Sequence, residues 1–175
     1  MKHISIIILS ILILISCENK EKATESSASK LTSTYYFIRH AEKDRSDSNN
    51  ENPHLIDIGK QRAQHWNEVF KNIDFDAVYS TNYNRTQETA QPTTSKNNLN
   101  LVLYDPKTID IQKFLKETEG KTILVVGHSN TTPDFVNRIL GNKKYIDIDD
   151  SNNSNLYIVT IFGDHISDHL LYINP

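Results

Sequence analysis

Three short segments of this 175-residue chain carry side chains suited to a single kind of chemistry. They are Arg39-His40-Ala41-Glu42-Lys43, then Ser80-Thr81-Asn82-Tyr83-Asn84-Arg85-Thr86, then Gly127-His128-Ser129-Asn130. A phosphoryl group carries about two negative charges, and its oxygens suit planar guanidinium donors. Arg39 and Arg85 therefore read as a clamp for such a group, with Lys43, Ser129 and Asn130 as further binding positions. One neutral imidazole can attack phosphorus, and a second can donate to an oxygen. Each signal is weak alone, since an arginine or histidine at a strand end is usually structural. Their joint occurrence is far harder to obtain by chance.

The elements that must position these residues are legible as apolar runs. Tyr35-Tyr36-Phe37-Ile38, Ala77-Val78-Tyr79, Leu101-Val102-Leu103-Tyr104 and Thr122-Ile123-Leu124-Val125-Val126 each read as a buried strand. The three chemical segments directly follow the first, second and fourth of these. In an open α/β sheet, ligands bind beyond the carboxyl ends of the strands, where following helices point their N-termini. Helical patterns lie between the strands. Ala63, Trp66, Val69 and Phe70 share one face, and Ile111, Phe114 and Leu115 share another before Gly120. Thr132-Pro133-Asp134 reads as an N-cap, a first-turn proline and a first-turn acid, with Gly141 as the matching stop. Leu156 to Phe162, Gly163-Asp164 and His165 to Ile173 suggest a closing hairpin. The expected fold is an α/β three-layer sandwich with a mixed, mostly parallel central sheet flanked by helices.

At this point the chain resembles the histidine phosphatase superfamily. The resemblance rests on Arg39-His40-Ala41-Glu42, on Ser80-Thr81 through Arg85-Thr86-Gln87-Glu88-Thr89-Ala90, and on Val126-Gly127-His128-Ser129-Asn130. It implies a phosphoglycerate mutase-like fold, closest in size to the compact phosphohistidine phosphatases. It also implies His40 as the nucleophile, with Arg39, Arg85 and His128 holding the phosphate. The family often has glycine where Ala41 stands, and alanine is small enough to let the backbone approach an oxyanion. The branch with an aspartate directly after the second histidine is excluded, because Ser129 follows His128. Asp105, Glu42 and Glu88 remain as candidates for the general acid. Asp105 is favoured because it ends the third strand on the same rim.

The N-terminus adds a location. Lys2, the apolar run Ile4 to Ile15 and the small Ser16 form a secretory signal pattern, too short at roughly twelve apolar residues to span a bilayer as a helix. Leu14-Ile15-Ser16-Cys17 resembles a bacterial lipobox. Cys17 is the sole cysteine, so no internal disulfide can form, and lipidation accounts for the odd thiol. The polar stretch after it reads as a tether reaching on the order of 20 to 25 Å. The expected organisation is a signal peptide over 1–16, a lipidated cysteine and tether over 17–33, and one domain over 34–175. The protein is then exported and lipid-anchored to a bacterial membrane, on a periplasmic or surface-exposed face.

Composition narrows the partners. The formal net charge is −3, with no basic stripe to suit nucleic acid. The sequence has no paired-histidine helix motif and no calcium-loop carboxylate spacing, so no metal or other cofactor is expected. The expected substrate is a small phosphorylated molecule or a phosphohistidine protein, hydrolysed as a phosphomonoester or phosphoramidate through a phosphohistidine. Two alternatives stand beside this: phosphoglycerate mutase-type transfer, and a surface lipoprotein that binds anions without turnover.

Overall fold

The computed structural model describes residues 31–174. The signal pattern, Cys17 and most of the tether lie outside these residues. Ten elements follow in order: β1 (Thr32–Arg39), α1 (Asp57–Val69), β2 (Ala77–Thr81), α2 (Asn84–Lys96), β3 (Leu101–Tyr104), α3 (Ile111–Glu117), β4 (Thr122–Gly127), α4 (Thr131–Leu140), β5 (Asn155–Phe162) and β6 (His165–Tyr172). The strands form one sheet in the order β3-β2-β4-β1-β5-β6. The first four run parallel, while β5 and β6 are antiparallel to their neighbours. The mixed, mostly parallel sandwich expected from the sequence is the observed architecture.

Two apolar layers sandwich the sheet, and alternation along β1 shows how. Tyr35 and Phe37 join Ile123, Val125, Ile111, Phe114, Phe135 and Ile139, so this face packs on α3 and α4. Ile38 joins Leu124, Val126, Val78, Trp66, Phe70 and Ala90, so the other face packs on α1 and α2. Successive strand residues point to opposite sides, and a central strand covered on both sides must be apolar throughout. Burying each such side chain contributes about 1.5–3 kcal/mol.

Some boundaries differ from the sequence reading. β1 begins at Thr32, two residues before the boundary expected at Thr34, with Thr32 and Ser33 paired to Phe162 and Ile161. Ser33 is polar yet buried, because its hydroxyl accepts the Gly120 amide at 2.8 Å. Helix α4 starts earlier than the Thr132 cap implied: Asn130 is the N-cap, and its side chain accepts from the Thr131 amide. Gly141 ends that helix as expected, in the left-handed conformation at φ 69°. Helix α2 buries Thr86, Thr89, Ala90, Thr93 and Thr94, a face with almost no aliphatic side chains.

Candidate active site

Parallel pairing brings the carboxyl ends of four strands into one row. Arg39 is opposite Gly127 across β1 and β4, Ser80 opposite Val126 across β2 and β4, and Thr81 opposite Tyr104 across β2 and β3. His40, Asn82, Asp105 and His128 are the next residues along, so they must share one rim. They line a cavity of about 740 Å³, together with Arg39, Lys43, Tyr83, Arg85, Lys107, Ser129, Asn130 and Asp150. Every binding position expected from the sequence lies in this cavity.

His40 is 4 % exposed. Its Nδ1 lies 2.7 Å from the Ala41 carbonyl oxygen. A carbonyl only accepts, so Nδ1 carries the hydrogen and Nε2 keeps its lone pair. Burial, with lesser contributions from Arg39, His128 and Arg85, lowers the His40 pKa to about 3, against a raising effect of the Ala41 carbonyl. The ring is thus neutral and nucleophilic. His128 is half-buried, and burial followed by Arg85, Arg39 and Lys43 lowers it to about 4. Its Nε2 is 2.8 Å from the Thr81 hydroxyl, and its backbone amide donates to Thr131 Oγ1. Gly127 permits this packing, since a Cβ there would stand 2.7 Å from Thr132 Oγ1.

The two arginines are held differently. Arg85 lies with its guanidinium carbon 4.4 Å from the Tyr83 ring centroid and donates once, to the Glu51 carbonyl at 3.2 Å. Arg39 is 2 % exposed, and its terminal nitrogens are committed to the segment after α4. Nη1 donates to the carbonyls of Asp149, Asp150 and Asn152, and Nη2 to the Asp150 carboxylate at 2.6 Å. The Nε atoms of both arginines are buried without a protein partner. Arg39 and Arg45 together hold the Asp150 carboxyl down to about 2, the hydrogen bond from Arg45 being the largest cause.

Segment 148–154 was not singled out in the sequence, yet it fastens residues of both the first and the third motif. Besides holding Arg39, Asn153 Nδ2 donates to the His40 carbonyl at 2.7 Å, and Ile148 N donates to the Ser129 carbonyl. The only sequence signal was a run of Asp, Ser and Asn, the residue types that build turns.

Two of the three acid candidates are engaged elsewhere. Glu42 forms a bidentate pair with Arg62, at 2.8 and 3.0 Å from Nε. Glu88 accepts the Leu55 amide at 2.8 Å and pairs with His54, fastening the loop over 44–54. Neither lines the cavity, whereas Asp105 does. Ala41 also differs from expectation: its amide is not free for an oxyanion, because it donates to Thr89 Oγ1 at 2.9 Å.

The histidine phosphatase superfamily (branch 1) model matches residues 35–106, the part of the chain that carries the first two chemical segments, and the chain is similar to that superfamily there. No curated protein matches it in sequence. Among solved structures it is similar to SixA from Agrobacterium tumefaciens, a proposed phosphohistidine phosphatase, with a TM-score of 0.59 and 18% identity over 81% of this chain and 98% of that one. A phosphoserine phosphatase variant from Entamoeba histolytica, bound to phosphoserine, gives 0.61 and 15%, covering 78% and 94% of the two chains. The phosphoglycerate mutase from Bacillus anthracis gives 0.63 and 13%, covering 82% and 94%. At these identities the likenesses establish the fold.

Proposed function

We propose that this protein is a metal-independent phosphatase that hydrolyses phosphomonoesters or phosphoramidates through a phosphohistidine on His40. The observation that carries the reading is the buried His40 ring, neutral, with its Nδ1 hydrogen spent on the Ala41 carbonyl and Nε2 left to attack. In the first step Nε2 bonds to phosphorus and the bond to the leaving oxygen or nitrogen breaks. Asp105 protonates that leaving atom. In the second step water attacks the phosphohistidine and the nitrogen–phosphorus bond breaks, returning inorganic phosphate and free His40. Arg39, Arg85, Lys43 and His128 offset the charge on the equatorial oxygens throughout. Small phosphorylated molecules and phosphohistidine proteins both present this group. The named neighbours support that substrate range.

The test is para-nitrophenyl phosphate hydrolysis by the full-length chain with EDTA present, beside His40→Ala. Turnover with a rapid acid-labile phosphoenzyme, both lost in His40→Ala, is the expected result. A folded protein releasing no phosphate from this ester or from a panel of natural esters between pH 4 and 8 would leave an anion-binding protein without turnover.

The reading includes an address. The apolar leader and the Leu14-Ile15-Ser16-Cys17 segment support export and lipid anchoring on Cys17, with the domain standing off a bacterial membrane. Cys17→Ser should abolish labelling by a radiolabelled fatty acid and release the activity from the membrane fraction.

A further inference from the structure

The hydrogen bonds behind His128 decide which of its nitrogens carries the proton. Thr86 Oγ1 lies 2.9 Å from the carbonyl oxygens of both Thr81 and Tyr83. Carbonyls cannot donate, so the single hydroxyl proton of Thr86 is spent on them. Thr81 Oγ1 lies 3.0 Å from Thr86 Oγ1, and the proton in that contact must come from Thr81. The Thr81 oxygen can then only accept from its other neighbour, His128 Nε2, at 2.8 Å. Both threonines are fully buried, so solvent offers neither a substitute partner.

Nε2 of His128 is therefore the protonated nitrogen, and Nδ1 is the ring nitrogen of this cavity-lining residue that is left with a bare lone pair. This is the opposite of what a phosphate-binding neutral imidazole requires, because a lone pair set against a phosphoryl oxygen repels it. The charged and titratable groups sharing the cavity are Arg39 at the end of β1, His40 and Lys43 after it, Tyr83 and Arg85 at the start of α2, Tyr104 at the end of β3, Asp105 and Lys107 beyond it, and Asp150. In the free protein burial, and after it the cations Arg85, Arg39 and Lys43, oppose a charge on the ring. A bound dianion offsets that field and supplies an acceptor for a new N–H.

We infer that Thr81 is a positioning residue that holds His128 in the tautomer with Nδ1 unprotonated, so that phosphoryl binding is coupled to protonation of Nδ1. His128 then grips the phosphoryl group as an imidazolium, with Nε2–H on Thr81 and Nδ1–H on an equatorial oxygen. The coupling rests on the reading that the cavity receives a phosphoryl group.

The full-length chain carrying nitrogen-15 histidine tests this by NMR, with the His128 signals assigned by their loss in His128→Asn. The free protein should show a neutral ring protonated at Nε2. Saturating inorganic phosphate should raise its protonation midpoint by about one to three units. Thr81→Val, checked for folding by thermal unfolding, should move the proton to Nδ1 in the free protein and abolish most of that rise, while Thr81→Ser restores both. A purely structural role for Thr81 would weaken phosphate binding and leave tautomer and midpoint shift unchanged. An Nδ1–H ring in the free wild type, or an unmoved midpoint with phosphate demonstrably bound by phosphorus NMR, overturns the inference alone. Absence of phosphate binding overturns it together with the functional reading.

Discussion

The rings of His40 and His128 stand 5.5 Å apart at an interplanar angle of 67°, one on the segment after β1 and the other after β4. The adjacency of β1 and β4 in the sheet makes this pair, since Arg39 and Gly127 are register partners and each histidine follows directly. Two imidazoles so close beside two arginines cannot both charge readily, and both are held neutral by burial first and by the cations second. The pair is thus prepared to receive an anion.

That preparation costs stability in acid. Both folded-state pKa values, about 3 and about 4, lie below the ordinary 6.5 of an unfolded histidine. Between those limits the unfolded chain binds protons that the folded protein refuses, so stability falls as pH drops below about 6.5. The loss is on the order of 2 kcal/mol per ring at pH 5. Urea denaturation of wild type at pH 7.5 and pH 5 should show this loss, and His40→Asn should show it reduced by roughly the share of one ring. Equal pH sensitivity in the two proteins would rule out the burial argument.

Gly59 is predicted to be intolerant of any side chain. A Cβ at this first-turn position of α1 would stand 2.1 Å from the Glu42 carbonyl oxygen, which also accepts the Ile56 amide at 3.0 Å. Backbone cannot swing aside as a flexible side chain can. Gly59→Ala should therefore cost about 1–3 kcal/mol or more in a denaturation experiment. It should also lower turnover, because the displaced Glu42 backbone is two residues from His40.

Asp150 places a carboxylate in a cavity otherwise lined by the cations Arg39, Lys43, Arg85 and Lys107. Asp150→Asn keeps an acceptor for Arg39 Nη2, and the three carbonyls on Nη1 still hold the guanidinium. What changes is the charge. KM for a phosphomonoester should fall roughly threefold to tenfold at low ionic strength, and the difference should shrink as salt screens it. A rise in KM would mean that the carboxylate orients Arg39 more than it repels substrate.

The fold and the residues that line the cavity were legible because their signals are local. Apolar runs end in chemical residues at Arg39, Thr81 and Gly127, and the expected sheet places those ends on one rim. What escaped is what depends on tertiary pairing. Helix α2 buries threonines, whose hydroxyls return to carbonyls such as those of Thr81 and Arg85, so no apolar periodicity announces it. Segment 148–154 reads as a turn, and nothing in its composition says that Arg39, more than a hundred residues earlier, closes it. Glu42 and Glu88 have the right chemistry for an acid, and only the positions of Arg62 and Leu55 show that both carboxylates are engaged away from the cavity.

The acid can be assigned by making the leaving group need it. In the proposed mechanism, protonation by Asp105 matters most when the departing alkoxide is a strong base, and little when para-nitrophenolate leaves. Asp105→Asn should lower turnover of an alkyl phosphate by about 10²–10³-fold, within the usual range for a positioned acid. Turnover of para-nitrophenyl phosphate should fall less than about tenfold, because phosphohistidine formation then needs no proton. Glu42→Gln should behave otherwise. It breaks a bidentate pair whose side chains are 12 % and 23 % exposed, so it should cost about 1 kcal/mol of stability. Its effect on turnover should be similar for both leaving groups, since Glu42 holds the motif in place and gives no proton. Leaving-group dependence that tracked Glu42 in place of Asp105 would reassign the acid and require the Glu42–Arg62 pair to open during the reaction.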